Sequence, residues 1–180
     1  MLDTNETVGV HLEGFAFGMT DGIICFLGII IGVAQATRDP KMVIIAGIVG
    51  GIADAFGNSI GFLISQITEQ SIQMHQKEDL GQEVRIHSQG EVIFSGIFSF
   101  IATIITLVLL IGPYFFIDDF YLAMFVTFIL GVLSLFLLGR YVAKISKKDQ
   151  LKMGLLYAII GITGAIFAFM IGSLLNQIIQ

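Results

Sequence analysis

The chain has 180 residues, of which 56% are hydrophobic and only 13% charged, so its composition excludes an ordinary soluble protein. The single cysteine excludes an internal disulfide and any metal cluster built on several cysteines of one chain. The net charge of −5 says little about partners, but the chain has no basic patch that would indicate nucleic acid as one.

Five apolar runs are long enough to cross a bilayer, which requires about 20 residues per helix. The sequence therefore predicts an all-α integral membrane protein with five transmembrane helices in one domain, residues 1–180. The N-terminal segment lacks the basic start of a signal peptide, so we expect the first helix to remain in the mature protein. In chain order the predicted spans are 13–36, 42–65, 91–111, 119–138 and 151–175.

The connections between these helices differ in length. Residues 37–40 form a tight turn, so the first two helices should make an antiparallel hairpin. Residues 66–90 form the one long polar segment, which has helical character. We expect it to continue helix two into the cytosol, to turn near Gly81 and to return into helix three.

Lysine and arginine positions near the helix ends orient the chain, because cytoplasmic loops carry an excess of these residues. The side that holds the N-terminus, the 66–90 segment and the 140–152 loop has seven of them, and the opposite side has two. We therefore expect a cytoplasmic N-terminus and an outside C-terminus. The short loops and the lack of a targeting segment favour a prokaryotic plasma membrane. The seven are Lys77, Arg85, Arg140, Lys144, Lys147, Lys148 and Lys152, and the two are Arg38 and Lys41.

Helix one carries a carboxylate, Asp21, about a third of the way into its span. A charged side chain at the centre of a membrane helix costs about 2.5–3.5 kcal/mol on insertion scales, so it usually has a partner or a function. Asp21 is therefore a candidate ion ligand, and the alternative is a buried hydrogen bond to a neighbouring helix. Met19 offers a soft thioether beside it, unless it only packs. Cys25 is interpreted as a core residue that faces lipid or a helix.

Helix two carries Asp54 near its middle and Asn58 one turn later on the same face. Carboxylate and amide oxygens suit divalent cations, and an aspartate can also relay protons. The alternative for Asn58 is a structural hydrogen bond between helices. We expect helix two to pack closely against helix one through small residues, namely Gly47, Gly50, Gly51, Gly57 and Gly61.

The polar 66–90 segment contains several side chains that could bind a divalent metal through nitrogen and oxygen. Two pairs have helical spacing, His75 with Glu78 and Glu83 with His87. The alternative is an ordinary solvated helix surface. With Glu69, these four residues complete the list of cytosolic candidates. The chain has no phosphate-binding loop, nucleophile elbow or HExxH motif, so we predict neither an enzyme nor a resident cofactor.

The motifs along the chain resemble the vacuolar iron transporter family over about residues 13–175. The similar stretches are FGMTDGII in helix one, IADAFGNSIGFLIS in helix two, FSGIFSFIATII before Gly112-Pro113, and the closing segment from LLGRYVAKIS onward. The resemblance implies five helices, and a transport pathway along a dimer interface lined by helices one and two. It also implies a cytosolic metal-binding region between helices two and three.

The functional positions of this family are matched only in part by the residues of this chain. Asp21 and Asp54 fall on its acidic positions in helices one and two. Asn58 stands where the family has a Met, and Phe62 where it has a Glu. The cytosolic region is shortened to 66–90, where the candidates named above remain. An Asp and Asn site is harder in ligand character, so it would tolerate Mn²⁺ or Mg²⁺ at least as well as Fe²⁺.

Three functions compete at this point. The first is a divalent-cation transporter that exports or sequesters Fe²⁺ or Mn²⁺ from the cytoplasm by proton exchange. Five spans do not divide into two equal halves, so a two-fold homodimer in the lipid bilayer is the simpler way to enclose its pathway. The second is a membrane scaffold or accessory protein that kept the fold and lost the metal site. The third is a proton-coupled transporter of an organic cation.

Overall fold

The computed structural model describes the backbone of residues 4–79, 81 and 86–179 and contains six helices in that part of the chain. Five candidate spans are long and apolar enough to cross a membrane, and the short α4 belongs to the same span as α3. This confirms the predicted all-α architecture with five spanning helices. The helices are α1 (Thr4–Thr37), α2 (Pro40–Glu78), α3 (Gln89–Ile111), α4 (Pro113–Phe116), α5 (Phe120–Ile145) and α6 (Gln150–Ile179).

The hairpin between α1 and α2 has the turn chemistry that the sequence indicates. Arg38 adopts a positive φ of 53°, which ends α1 and reverses the chain. The Asp39 carboxylate then accepts a hydrogen bond of 2.8 Å from the Lys41 amide, and Pro40 occupies the first turn of α2. An aspartate cap followed by proline is a strong helix start, because it satisfies a free amide and presets φ.

Helix α2 is much longer than the membrane is thick. Its 39 residues span about 58 Å, against about 30 Å for the hydrocarbon core, so its C-terminal part extends beyond the bilayer. Two glutamines fasten this extension to the start of α3. Gln70 Nε2 donates to the His87 carbonyl over 2.6 Å, and Gln73 Oε1 accepts from the His87 amide over 2.9 Å. A capping box between Ser88 and Glu91 then begins α3.

Helix α1 lies at the centre of the bundle and contacts α2, α3, α5 and α6. Its inward face is fully buried and forms much of the apolar core, through Ile23, Phe26, Leu27 and Ile30. A helix that is apolar almost all round is typical of a membrane span, because the sides that do not face other helices face lipid.

The closest helix contact in the described chain joins α1 to α3. A Cβ at Gly14 would overlap the Ser95 carbonyl, and one at Gly18 would overlap the Ser99 carbonyl. Ser95 and Ser99 are themselves fully buried. Small residues on both sides therefore let two backbones touch, which is the usual basis of strong packing between membrane helices.

The glycines of α2 behave differently from our expectation. Gly50 does face α1, since a Cβ there would lie 3.0 Å from Ile29 Cδ1. Gly47 faces both neighbours, since a Cβ there would lie 2.8 Å from Ile111 Cδ1 of α3 and 3.8 Å from Ile30 Cγ1 of α1. Gly51 accommodates a side chain of α3, and Gly57 and Gly61 have open space where a Cβ would be. The prediction that all five bring α2 close to α1 is therefore wrong for Gly51, Gly57 and Gly61, because helical rotation spreads these positions over several faces.

Candidate functional site

The register between α1 and α2 is fixed by two contacts about three turns apart. Ile29 packs over Gly50, and three turns further down the Phe17 and Phe62 rings stack with centroids 4.9 Å apart. Each step of four residues back along α1 is matched by four forward along α2, as expected for an antiparallel pair. This register places Cys25 opposite Asp54 and Asp21 opposite Asn58.

The two intramembrane carboxylates are neighbours on this face. Asp21 and Asp54 lie within electrostatic range of each other, one helical turn apart in depth. Asp54 is partly buried, and its Oδ2 atom is buried without a hydrogen-bond partner among the described residues. Asp21 is exposed on the surface of the single chain. The site therefore combines an open carboxylate with a shielded carboxylate that has free coordinating capacity.

A thiol completes this group. Cys25 follows Asp21 by one turn of α1, and its thiol lies beside the Asp54 carboxylate, within hydrogen-bonding reach. Sequence reasoning treated Cys25 as a core residue. The four-residue spacing from Asp21 was a usable signal, but the pairing with Asp54 depends on the register of α1 and α2, which the sequence alone does not give.

Asn58 is tied into the bundle by a hydrogen bond. Its Nδ2 donates to Thr103 Oγ1 over 3.2 Å. The Thr103 hydroxyl in turn donates its hydrogen toward the Gly18 carbonyl, 3.2 Å away, and the Ser99 carbonyl, 3.0 Å away. One hydroxyl thus links α1, α2 and α3. This contact supports the alternative role of Asn58 as a structural link between helices.

The cytosolic candidates fall into two groups, of which the first lies at the far end of α2. His75 Nδ1 is hydrogen-bonded to Asp79 rather than to Glu78, and all three side chains are exposed. Glu83 lies outside the described residues. His75 and Glu78 both lie in the last turn of α2, and their role as metal ligands stays a prediction.

The second group lies where α2 leaves the membrane. Glu69 and His87 both come within electrostatic range of Glu13 of α1, a residue that sequence reasoning did not select. His87 Nδ1 is buried without a hydrogen-bond partner in the described chain. Glu69 accepts a hydrogen bond of 3.4 Å from Gln73. The structure thus brings carboxylates and an imidazole from three parts of the chain to one end of the α1–α2 pair.

Neither the membrane site nor the cytosolic candidates form a closed metal-binding cage among the described residues of one chain. Among residues 4–79, 81 and 86–179, no three His, Cys, Asp or Glu side chains have a geometry that could hold a metal ion. An ion in transit needs weaker and less complete protein coordination than a structural metal, since it must also leave. The arrangement is thus suited to transient contacts in which water or another chain supplies the remaining ligands.

Five spanning helices with ionisable groups at membrane depth define a multi-pass integral membrane protein with the features of an ion transporter. The VIT family model matches residues 12–93 and 63–173, so the chain belongs to the VIT family. This confirms the family that the motifs resemble. Members of this family are transporters rather than enzymes, and membership indicates a metal-ion transporter.

Two relatives show how the similarity is distributed. An uncharacterized protein of Methanocaldococcus jannaschii is 29% identical over 163 residues, which cover 86% of this chain and 84% of that protein. The VIT-like transporter 1a of Glycine max is 30% identical over 74 residues, which cover 41% of this chain and 36% of that protein. The archaeal relative therefore matches in overall length, and the plant transporter matches over a shorter segment.

Proposed function

We propose that this protein moves a divalent transition-metal cation, Fe²⁺ or Mn²⁺, out of the cytoplasm by exchange for protons. The observation that carries the proposal is the pair of neighbouring carboxylates at membrane depth, of which Asp54 keeps a buried oxygen without a partner among the described residues. A carboxylate can hold either a cation or a proton. Alternate occupancy of Asp21 and Asp54 would therefore couple the two fluxes.

The polar groups at the inner end of α1 and α2 support an entry role. Glu13, Glu69 and His87 would concentrate cations near the membrane surface, in the orientation that places the N-terminus in the cytoplasm. The stacked Phe17 and Phe62 rings lie between this group and the carboxylate pair. An ion would pass these rings to reach Asp21. The short loops favour a prokaryotic plasma membrane as the site of this activity.

Uptake into proteoliposomes tests the proposal directly. Purified protein would be reconstituted and offered Fe²⁺, Mn²⁺, Co²⁺ or Mg²⁺, with and without a pH gradient. We expect uptake that rises with the gradient and falls at least tenfold in Asp54→Asn. Asp118→Asn is the matched control, because it removes an exposed carboxylate outside the carboxylate pair and should transport normally. Equal transport by both variants would refute the mechanism.

We further propose that the working unit is a homodimer in which the α1–α2 faces of two copies meet. Asp21 is exposed in the single chain, and contact with lipid would cost about 2.5–3.5 kcal/mol on insertion scales. Gly57 and Gly61 beside it have open space at Cβ, so a second backbone could approach closely. A second copy would cover the carboxylate and enclose a pathway.

Mixed assemblies test this arrangement. Wild type and Asp54→Asn would be co-expressed in equal amounts with different tags, reconstituted together and assayed. If both copies must be intact, about a quarter of the wild-type activity should remain, as random pairing of a dimer requires. If each chain works alone, about half should remain, and the shared pathway would be wrong.

One observation favours the second function, a membrane scaffold without transport. At the two positions where the resembled family has a Met and a Glu, the Asn58 Nδ2 group donates to Thr103, and the Phe62 ring, which has no metal-binding atom, stacks on Phe17. These two positions therefore offer a metal only the Asn58 carbonyl oxygen. Thermal unfolding in detergent separates the two functions, because an ion that binds the native state raises its stability. A scaffold should show no shift with any divalent ion, whereas a transporter should be stabilised by its substrate.

A further inference from the structure

The side chain that distinguishes this site chemically is the thiol of Cys25. Cys25 is the chain's one cysteine, and it stands at the level of Asp54 in the register fixed by the Ile29–Gly50 and Phe17–Phe62 contacts. The thiol is partly buried and lies beside the Asp54 carboxylate. An apolar packing role would not require a cysteine to face the membrane-embedded carboxylate.

The neighbouring oxygen gives this thiol a ligand-binding context. Asp54 Oδ2 is buried and unpartnered among the described residues, so the carboxylate keeps coordinating capacity after its contact with Cys25. Asp21 adds a second carboxylate from the same helix as the thiol, one turn away. A sulfur donor of α1 and an oxygen donor of α2 thus lie side by side on the α1–α2 face, with the Asp21 carboxylate within electrostatic range of them.

We propose that Cys25 is a sulfur ligand of the transported ion, acting with Asp54, and that it makes the site selective for transition metals over Mg²⁺ and Ca²⁺. The inference rests on the proposed function and adds to it a residue that sets specificity. Carboxylates alone suit Mg²⁺, Ca²⁺ and Mn²⁺, whereas a cysteine sulfur favours softer ions such as Fe²⁺, Co²⁺, Zn²⁺ and Cd²⁺. On coordination a metal–sulfur bond replaces the S–H bond, and the proton leaves to water.

A purely structural role for Cys25 predicts different behaviour. The thiol could serve only as a hydrogen-bond donor that orients the Asp54 carboxylate. A serine hydroxyl donates at least as well, so Cys25→Ser would preserve that role. Serine has no sulfur, so the same variant removes a soft ligand. Cys25→Ser therefore separates the two roles with a change of one atom.

Cobalt is the probe for direct ligation, because a Co²⁺–thiolate bond gives a sulfur-to-metal charge-transfer band in the near ultraviolet. Full-length protein in detergent would be titrated with Co²⁺. We expect the band in wild type, its loss in Cys25→Ser, and weaker binding in Asp54→Asn. The native cysteine also serves as its own reporter. Saturating Co²⁺ should slow its reaction with a methanethiosulfonate reagent at least tenfold, and Mg²⁺ should not.

Transport assays complete the test. In proteoliposomes we expect the preference of Cys25→Ser for Co²⁺ uptake over Mg²⁺ uptake to fall at least tenfold relative to wild type. Wild-type transport without a cobalt–sulfur band or protection of the thiol would overturn the inference and leave the proposed function standing. Folded wild-type protein that neither binds nor transports any of these ions would overturn both. The wild-type measurements decide the matter even where a variant fails to fold.

Discussion

The contact between α1 and α3 makes a sharp prediction about stability. Alanine at Gly18 would place its Cβ 2.8 Å from the Ser99 carbonyl carbon and 2.9 Å from Ser99 Cα, too close for either backbone to remain in place. Overpacking of this kind costs about 1–3 kcal/mol. Separation of the helices would also weaken the Thr103–Gly18 hydrogen bond, worth about 0.6 kcal/mol in a membrane protein. The higher helix propensity of alanine offsets about 1 kcal/mol of this cost, so we expect Gly18→Ala to lower the free energy of unfolding by about 0.6–2.6 kcal/mol.

The same substitution elsewhere on α1 supplies the control. Gly28 lies on the same helix, and a Cβ there would meet no heavy atom within 4 Å. Alanine is favoured over glycine in a helix interior by about 1 kcal/mol, so Gly28→Ala should be neutral or stabilising. Unfolding would be followed by circular dichroism in mixed micelles of increasing SDS content. The packing argument fails if Gly18→Ala is as stable as Gly28→Ala.

Three further perturbations test individual contacts. Thr103→Val removes the hydroxyl that links α1, α2 and α3, and should cost about 0.6–1.7 kcal/mol in the same unfolding assay; an unchanged midpoint would contradict that link. A double-mutant cycle of Phe17→Ala and Phe62→Ala should give a coupling energy of about 0.5–1.5 kcal/mol if the rings stack, and additivity would show that they do not. Gln73→Ala removes the acceptor of the His87 amide, so it should speed hydrogen exchange of that amide without destabilising the bundle. Unchanged exchange, measured by mass spectrometry, would argue against this hydrogen bond between α2 and the start of α3.

The parts of the fold that were predictable from sequence depend on local patterns. Apolar length predicted five spanning helices, and residues 37–40 predicted the tight turn between α1 and α2, because turn chemistry is read from neighbouring residues. Hydropathy does not give the ends of the helices. The fourth span was predicted to cover residues 119–138, and α5, which contains nearly all of it, continues to Ile145. Its last turns lie beyond the apolar run but keep their backbone hydrogen bonds, so the helix is longer than the predicted span.

The site was only partly predictable, because it depends on the rotation and register of two helices. Asp21 and Asp54 were identified, since a carboxylate in an apolar run is conspicuous in any sequence. Their depth relative to each other was left open, and the contact of Cys25 with Asp54 was missed. Glu13 was missed too, because its neighbours Glu69 and His87 come from distant parts of the chain.

The polar groups within the described bundle separate into two sets by what they face. The hydroxyls of Ser95 and Thr103 on α3 point inward and donate to the Val92 and Gly18 carbonyls, so their cost of burial is met by hydrogen bonds, whereas Ser99 Oγ is buried without a partner in the described chain. The carboxylates face outward along α1 and α2, where Asp21 is exposed and Asp54 keeps an unpartnered oxygen. A structural role would have placed them inside with partners, as it did Ser95 and Thr103. Their position on an open face at membrane depth is thus an argument that the pathway lies beside the single-chain bundle rather than through it.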